Sequence, residues 1–175
     1  MITLRPAKFS DVESIHKLLN EYAKQGLMLP RSRNSIYENL RDYVIAVENN
    51  RILGCGALHF VWDKLAEIRS MAVDPNLKKT GIGRMIVEQL EKEGIERGVT
   101  MFFTLTYQPG FFSKCDYIQT AKERLPQKVW KECVHCSQYP YCNEIAFIKT
   151  TVDYRPSDIT GFNNNSFKQE LVFKE

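Results

Sequence analysis

The residues of this chain best suited to chemistry form a short basic turn that contains two glycines. Lys78, Lys79 and Arg84 carry positive side chains, and Gly81 and Gly83 leave the backbone between them uncovered. An apolar stripe of helical spacing follows, so the turn stands at a helix start, where backbone N–H groups lack partners and the macrodipole is positive. This combination is typical of a site that binds a pyrophosphate or several phosphates.

Two other phosphate-binding loops are excluded by the spacing of the glycines. The chain has neither Gly-x-x-x-x-Gly-Lys-Ser/Thr, found in nucleotide hydrolases, nor Gly-x-Gly-x-x-Gly, found in dinucleotide-binding folds. Instead, an apolar stretch at residues 65–75 leads into the turn. The sequence therefore predicts a strand, a phosphate-binding turn and a helix in succession.

Two motifs resemble a known family. Lys78, Gly81 and Gly83 match the coenzyme A signature of the GNAT family of N-acetyltransferases, usually Gln/Arg-x-x-Gly-x-Gly/Ala, with lysine at its first position. Lysine keeps the positive charge and lacks the guanidinium fork. Residues 111–117 resemble the family's Phe-Tyr-x-Lys-x-Gly-Phe segment, and Phe112 stands where many relatives have the tyrosine that protonates the leaving thiolate.

The resemblance implies an α/β (α+β) fold with a central mixed, twisted β-sheet flanked by helices. Splayed strands of that sheet hold acetyl-CoA, which is the acetyl donor. The residues that the resemblance places at the acetyl-CoA site are Met71, Ala72, Val73, Lys78, Lys79, Thr80, Gly81, Ile82, Gly83, Arg84, Phe112 and Lys114.

Acetyl transfer to an amine requires a base, because an amine is mostly protonated at neutral pH and must lose a proton before it attacks. Glu67 is our candidate, since relatives place a glutamate there; the alternative is a strand glutamate that faces solvent. The backbone N–H of Met71 or Ala72 is the candidate donor to the thioester oxygen. The thiolate then leaves unaided or takes a proton from Tyr107, Ser113 or Tyr117.

The candidate substrate residues are Leu29, Arg31 and Arg69. The segment at residues 29–32 and Glu67 resemble the acetyltransferase domain of bacterial N-acetylglutamate synthases, which implies L-glutamate as the acceptor and a role in arginine biosynthesis. A guanidinium binds a carboxylate through two parallel hydrogen bonds. Strand alternation predicts that Arg69 lies on the same face as Glu67.

Two other functions stay open at this point. The first is acetylation of another amine, such as a polyamine, an antibiotic or a protein N-terminus, although two arginines do not suit a cationic acceptor. The second is a non-catalytic module that binds coenzyme A or zinc, which Phe112 and a cysteine-rich segment keep open.

That segment carries Cys133, Cys136 and Cys142, spaced Cys-x2-Cys-x5-Cys. A Cys-x2-Cys pair often binds structural zinc, which takes four ligands. The fourth ligand would be His135, Glu144 or Cys115, and the spacing does not choose among them. The alternative is that reduced cysteines line a substrate loop.

Length and charge predict one enzyme domain. The chain has 175 residues, with 24 basic and 21 acidic side chains and a formal net charge of +3. We expect a single acetyltransferase domain at residues 1–150, with a cysteine-rich extension at 125–145 and a tail at 151–175 that is mobile or pairs with a strand. Because the basic residues are dispersed, we expect no nucleic-acid partner.

The chain shows no apolar leader and no stretch of about 20 apolar residues. We therefore expect a cytoplasmic protein without a membrane partner, with reduced cysteines. Whether it forms a homodimer is left open by the sequence.

The elements that must position these residues alternate between strands and helices. Capping boxes predict helix starts at Ser10 with Glu13, running to about residue 25, and at Ser35 with Glu38. Strands are predicted at 2–5, 43–48, 52–60, 65–75 and 101–106, and the second and third join through the turn at residues 49–50.

Overall fold

The computed structural model describes residues 1–125, 133, 136, 138 and 141–155. The strands are β1 (Thr3–Pro6), β2 (Tyr43–Glu48), β3 (Arg51–Trp62), β4 (Leu65–Val73), β5 (Met101–Thr106), β6 (Ile118–Thr120) and β7 (Ile145–Thr150). The α-helices are α1 (Val12–Lys24), α2 (Arg33–Glu38), α3 (Ile82–Glu96) and α4 (Pro109–Lys114). Short 3-10 helices cover Phe9–Asp11, Leu40–Asp42, Pro75–Leu77 and Lys122–Arg124.

The seven strands form one mixed sheet in the order β1-β2-β3-β4-β5-β7-β6. The pairs β1–β2, β2–β3, β5–β7 and β6–β7 are antiparallel. This arrangement confirms the predicted fold class, a mixed sheet with flanking helices.

The chain divides into two compact units. The first unit comprises Met1–His59 and Glu67–Glu96, and the second comprises Phe60–Ala66 and the described residues from Arg97 onward. All the residues predicted to bind pyrophosphate, to act as base or to hold substrate lie in the first unit. The prediction of one domain over residues 1–150 stays a prediction.

In the first unit, helices α1 and α2 cover one face of the sheet, and α3 lies against the other. The core of the first face consists of Val12, Ile15, Leu19, Ile36, Tyr43, Ile45, Cys55, Ala57 and Ala72. On the opposite face, a Cβ atom at Gly54 would lie 3.0 Å from the Ile86 side chain and 3.3 Å from that of Ile82. Glycine in β3 therefore allows α3 to approach the strand closely.

The second unit has its own apolar core, formed by Leu65, Met101, Phe103, Leu125, Ala146 and Ile148. At its surface, Lys149 Nζ donates a 3.1 Å hydrogen bond to the Cys115 carbonyl and lies 5.5 Å from the centre of the Tyr117 ring. These contacts connect β7 to the end of α4.

The strand predictions match β1 to β5 with ends displaced by no more than two residues. The turn between β2 and β3 is also confirmed, since Asn49 and Asn50 have φ values of 50° and 61°, the left-handed conformation that a two-residue hairpin turn requires. Gly98, with φ 87°, follows the last turn of α3 in the conformation typical of a C-terminal cap.

Both predicted capping boxes are wrong. The helix predicted from Ser10 begins at Val12, and Asp11 accepts a 2.7 Å hydrogen bond from the Lys8 N–H and pairs with Arg5 through both carboxylate oxygens. The Asp11 carboxylate thus stabilises the short 3-10 helix at Phe9–Asp11 and makes no side-chain cap hydrogen bond to α1.

The second helix begins at Arg33, because Ser32 Oγ accepts from the Ser35 N–H at 3.1 Å. Ser35 is therefore the donor at this cap and not the capping side chain.

Of the predicted tail at residues 151–175, the part from 156 onward lies outside the described residues. In the described part of the chain, no helix is long and apolar enough to cross a membrane.

Candidate active site

The predicted phosphate-binding turn lies between the end of β4 and the start of α3. Its entry depends on Asp74, whose N–H donates to the Leu53 carbonyl at 2.7 Å and whose carboxylate accepts from the Asn76 N–H at 2.9 Å. Thr80 Oγ1 donates to the Leu77 carbonyl at 2.6 Å. These local hydrogen bonds hold the backbone of the turn in one shape.

Gly81 has the backbone conformation and the open space that a bound phosphate requires. Its φ is 90°, which side chains rarely adopt, and a Cβ atom placed there would have no neighbour within 4 Å. The first hydrogen bond of α3 runs from the Met85 N–H to the Gly81 carbonyl, at 3.0 Å. The N–H groups of residues 82–84 come before that bond, and an α-helix supplies no carbonyl partners for them.

Three cationic residues belong to the same turn and helix start. Lys78, Lys79 and Arg84 are all exposed. Lys78 Nζ lies 5.0 Å from the centre of the Tyr22 ring, and the Arg84 guanidinium lies 4.0 Å from Glu88, one helical turn ahead. The start of α3 is therefore a positively charged surface that suits an anionic ligand.

The last residue of β4 is held from helix α1. Tyr22 donates a 2.6 Å hydrogen bond from its hydroxyl to the Val73 carbonyl. Burial raises the pKa of the Tyr22 hydroxyl, so it stays a donor at neutral pH. This bond links α1 to the strand end that opens into the turn.

Ser70 interrupts the regular geometry of β4. Its φ is 53° although it lies within a strand and is buried; a non-glycine residue in this conformation stores strain, and such residues concentrate at functional sites. Within the described part of the chain, the Ser70 hydroxyl has no hydrogen-bond partner. It lies close to the Tyr43 hydroxyl, and this proximity acts to lower the pKa of Tyr43 against the larger rise that burial causes.

The two backbone donors predicted for the thioester oxygen differ in their surroundings. Burial raises the pKa of the Cys55 thiol to about 12, and the N–H of Ala72 acts in the opposite direction as a hydrogen-bond donor to it. The same thiol donates to the Ser70 carbonyl at 3.7 Å. Since Ala72 is directed toward Cys55, Met71 becomes the better candidate of the two.

The predicted base and one predicted substrate arginine lie side by side. The Arg69 guanidinium is 3.6 Å from the Glu67 carboxylate and 3.9 Å from the carboxylate of Asp42. It also donates to the side-chain oxygen of Asn39 at 3.3 Å. Only 8% of the Arg69 side chain and 17% of the Glu67 side chain are exposed, so water screens this pair less than it would at the surface.

A histidine joins the same group. His59 Nδ1 lies 2.8 Å from Asp42 Oδ2, the oxygen that faces Arg69. The four side chains come from three elements of the first unit: His59 from β3, Asp42 from the 3-10 helix before β2, and Arg69 with Glu67 from β4. We call these four residues the charged cluster.

The structure brings both predicted arginines near one tyrosine. Burial raises the pKa of Tyr43, whereas the positive charges of Arg31 and Arg69 act to lower it. Arg31 is half-buried, and its carbonyl accepts a 2.9 Å hydrogen bond from the Asn20 side chain. Leu29 is half-buried in the same loop. Arg31 and Arg69 therefore act electrostatically on the same hydroxyl.

Phe112 and Lys114 belong to the second unit. Phe112 is buried and lies edge-on to the rings of Phe111 and Tyr117, at centroid distances of 5.0 and 5.3 Å. Lys114 is exposed at the end of α4. The ring at position 112 thus has a clear packing role in the core.

Tyr107, one of the three hydroxyls named from the sequence, lies among acidic groups. Burial is the largest cause that raises its pKa, and Glu144, Cys142 and Cys136 raise it further. A raised pKa holds the proton on the phenol and makes Tyr107 a weaker acid. Of the cysteine-rich segment, Cys136, Cys142 and Glu144 therefore lie near Tyr107.

The three cysteines proposed as zinc ligands are half-buried. The Cys136 N–H donates to the Cys133 carbonyl at 3.0 Å, and Cys142 Sγ contacts the Glu144 carboxylate at 3.6 Å. Over residues 1–125, 133, 136, 138 and 141–155, no three histidine, cysteine or acidic side chains are grouped to hold a metal ion. His135 lies outside the described residues.

Sequence reasoning missed Asp42, His59 and Ser70. His59 belongs to no motif, and its carboxylate partner Asp42 lies 17 positions away in the chain. One signal was present: His59 continues the alternation of Cys55 and Ala57, which places it on the face that carries the core of the first unit.

Comparison with known proteins agrees with this geometry. The sequence model of the Acetyltransferase (GNAT) family matches residues 11–117. An N-acetyltransferase of Chlorobaculum tepidum is 41% identical over 147 residues, covering 84% of this chain and 95% of the relative. An amino-acid acetyltransferase of Mycobacterium tuberculosis is 31% identical over 139 residues, covering 78% of each chain.

A solved structure supports the same assignment. The crystal structure of the Mycobacterium tuberculosis protein Rv2747, in complex with CoA and NLQ, superposes with a TM-score of 0.74 at 25% identity and covers 86% of this chain and 99% of its own. The family model and the solved structure both support the fold and the family that the basic turn and the strand before it indicate. The chain belongs to the Acetyltransferase (GNAT) family and is an acetyltransferase of that type.

Proposed function

We propose that this enzyme transfers the acetyl group of acetyl-CoA to the amino group of an acidic amino acid, with L-glutamate as the first candidate. The observation that carries the proposal is the placement of a carboxylate base, Glu67, beside Arg69. Arg31 and Arg69 both act electrostatically on Tyr43. The amino-acid acetyltransferase of Mycobacterium tuberculosis, 31% identical to this chain, supports the substrate class.

The pyrophosphate of acetyl-CoA binds at the turn before α3. The N–H groups of residues 82–84 donate to it, and Lys78, Lys79 and Arg84 balance its charge. Thr80 lies in the same turn and adds a further polar side chain to this surface. The related protein solved with CoA supports this assignment, since it shares the fold over 86% of this chain.

Glu67 removes a proton from the substrate ammonium group. The freed lone pair on nitrogen attacks the thioester carbon, and negative charge develops on the thioester oxygen. The N–H of Met71 stabilises this oxygen as the bond forms. The C–S bond then breaks, the nitrogen loses its second proton to solvent or to the departing thiolate, and the acetyl group stays on a neutral amide nitrogen. Glu67 passes the first proton to solvent.

The leaving thiolate departs without a proton or takes one from Tyr107, which solvent then replaces. Burial and nearby acidic groups raise the pKa of Tyr107 and weaken it as an acid. Unaided departure is favoured, because a thiol has a pKa of about 8.5. Phe112 supplies no proton and packs in the core of the second unit.

Arg31 binds the substrate carboxylate, with Leu29 beside it in the same loop. Its guanidinium has the planar fork that matches a carboxylate. Arg69 adds a second positive charge on the strand that carries the base. A cationic side chain would be repelled by Arg31, whereas the charge of Arg69 is compensated by Glu67 and Asp42.

Release of free thiol from acetyl-CoA, measured with each of the twenty amino acids in turn, tests the proposed substrate. We expect turnover with glutamate to exceed that with glutamine and lysine. Mass spectrometry of products from an equimolar mixture identifies the acetylated amine directly. Preference for lysine or a polyamine would contradict the carboxylate-binding role, and absence of turnover with every amine would favour a module that only binds coenzyme A.

Three further predictions accompany this function. Cys133, Cys136 and Cys142 stay candidates for a structural zinc site, and metal analysis of the purified protein checks them. We also infer a cytoplasmic location, where the five cysteines of the chain stay reduced. Sedimentation equilibrium determines whether the enzyme is a homodimer.

A further inference from the structure

The charged cluster contains a buried cation shared by two carboxylates. Arg69 lies 3.6 Å from Glu67 and 3.9 Å from Asp42, and its side chain is 8% exposed. A buried guanidinium is stable only when anions and hydrogen-bond acceptors surround it. Asn39 supplies a neutral acceptor at 3.3 Å. Arg69 therefore has partners on both sides before any substrate arrives.

Asp42 connects this cation to His59. A single oxygen, Asp42 Oδ2, lies 2.8 Å from His59 Nδ1 and 3.9 Å from the Arg69 guanidinium. A short hydrogen bond from His59 fixes the orientation of that carboxylate. The side of Asp42 that faces Arg69 is thereby fixed as well.

We propose that Asp42 and His59 are positioning residues that hold Arg69 beside Glu67, and that Arg69 keeps the Glu67 carboxylate ionised and oriented for proton removal from the amine. The proposal rests on Glu67 being the base. It gives Arg69 a role different from that of a substrate clamp, and it leaves recognition of the substrate carboxylate to Arg31.

The charges around the cluster agree with this assignment. Asp42 comes from the 3-10 helix before β2, His59 from β3, and Glu67 from β4. The Tyr43 hydroxyl of β2 is close enough to both Arg69 and Arg31 for these cations to act on it electrostatically. Because a cation within 4 Å favours the ionised form of a carboxylate, the position of Arg69 controls how readily Glu67 accepts a proton.

The sign of a pH effect tests the proposal. Arg69→Gln should move the acidic limb of the kcat–pH profile to higher pH by about one unit, because an opposite charge has been lost. Removing the Asp42 charge would by itself favour ionised Glu67 and move the limb to lower pH. If Asp42 mainly holds Arg69, Asp42→Asn should instead move the limb to higher pH.

A double variant strengthens the test. With Arg69 already replaced, Asp42→Asn should cause no further movement to higher pH, since two residues acting through one contact are not additive. Arg69→Lys keeps the charge and should leave the limb near its native position. Glu13→Gln is the matched control, since it removes an exposed carboxylate paired with Arg33 elsewhere on the first unit.

The role of His59 is tested by conservative rescue. A glutamine amide can still donate to Asp42, whereas alanine cannot. His59→Gln should therefore retain several-fold more turnover than His59→Ala, while the KM for acetyl-CoA stays near native in both. Equal losses in the two variants would overturn the positioning role of His59.

Parallel measurement of Glu67→Gln separates the two proposals. Near-native turnover in that variant would show that the base lies elsewhere, and both proposals would fail. If Glu67→Gln loses turnover but Asp42→Asn moves the acidic limb to lower pH or leaves it in place, only the positioning proposal fails. Acetyl-CoA affinity and near-ultraviolet circular dichroism verify that each variant is folded.

Discussion

Tyr22 on helix α1 donates a 2.6 Å hydrogen bond to the carbonyl of Val73, the last residue of β4. The same ring lies under Lys78 Nζ at 5.0 Å. One aromatic side chain thus contacts both the strand end and the first cation of the phosphate-binding turn. The shape of the turn depends on α1 as well as on its own residues.

Removal of this hydroxyl should loosen the turn. Tyr22→Phe keeps the ring beneath Lys78 and deletes one hydrogen bond, so we expect a stability loss of about 1 kcal/mol. The acetyl-CoA Kd should rise by less than about tenfold. Thermal unfolding and equilibrium binding measure the two effects. Tyr37→Phe, on an exposed tyrosine of α2, should change neither.

Gly81→Ala should weaken acetyl-CoA binding by about tenfold or more, because the new Cβ would occupy the space next to the helix N–H groups. The Gly81→Ala variant is also strained, because a residue with a side chain must then adopt a φ of 90°. Gly98→Ala provides a matched control, since φ there is 87° and a Cβ would again meet no atom within 4 Å.

The two glycine variants should therefore lose similar stability, whereas only Gly81→Ala should raise the acetyl-CoA Kd. Isothermal titration calorimetry with both proteins distinguishes these effects. Unchanged affinity in Gly81→Ala would remove the pyrophosphate site from this turn.

Arg31→Ala should abolish most of the preference for glutamate over glutamine and leave acetyl-CoA affinity unchanged. A charged hydrogen bond contributes about 1.5–3 kcal/mol, which corresponds to roughly 10- to 150-fold in kcat/KM. Arg33→Ala is the control, since Arg33 forms an exposed pair with Glu13 at 2.6 Å. An intact preference in Arg31→Ala would show that other groups bind the side-chain carboxylate.

Asp11 should make the protein sensitive to acid. The hydrogen bond from Arg5 is the largest cause that lowers the pKa of Asp11 in the folded state. A carboxyl with a lowered pKa stabilises the fold above its unfolded value of about 3.9, and this contribution is lost as pH falls through the folded value.

Asp11→Asn should therefore cost about 2 kcal/mol at neutral pH and reduce the fall in stability below about pH 4. Urea unfolding at several pH values measures both effects. Glu13→Gln, at an exposed pair on α1, should show a much smaller change. An equally steep acid response in Asp11→Asn would assign the sensitivity to other carboxyl groups.

The turn before α3 was predictable because its parts are neighbours in the chain. Lys78, Gly81 and Gly83 fall within six residues, and their chemistry follows from local conformation and the start of a helix. The order of the strands β1 to β5 was predictable for the same reason, since apolar alternation and the turn at Asn49 are local signals.

The helix starts were decided by tertiary structure. Ser10 and Ser35 fit the local capping pattern, yet Asp11 meets Arg5 of β1, and Ser32 caps α2. Several nearby side chains can cap a helix, and the one that does so depends on where the preceding segment joins the rest of the unit.

The charged cluster could not be predicted from spacing. Asp42, His59 and Arg69 come from three elements and meet only when β2, β3 and β4 align in the sheet. Side chains on neighbouring strands come into contact through register, which depends on hydrogen bonding across the whole sheet. The sequence by itself determined that this protein has a basic, glycine-containing turn at a helix start and a glutamate on the strand before it. Only the tertiary structure decided which charges surround that glutamate.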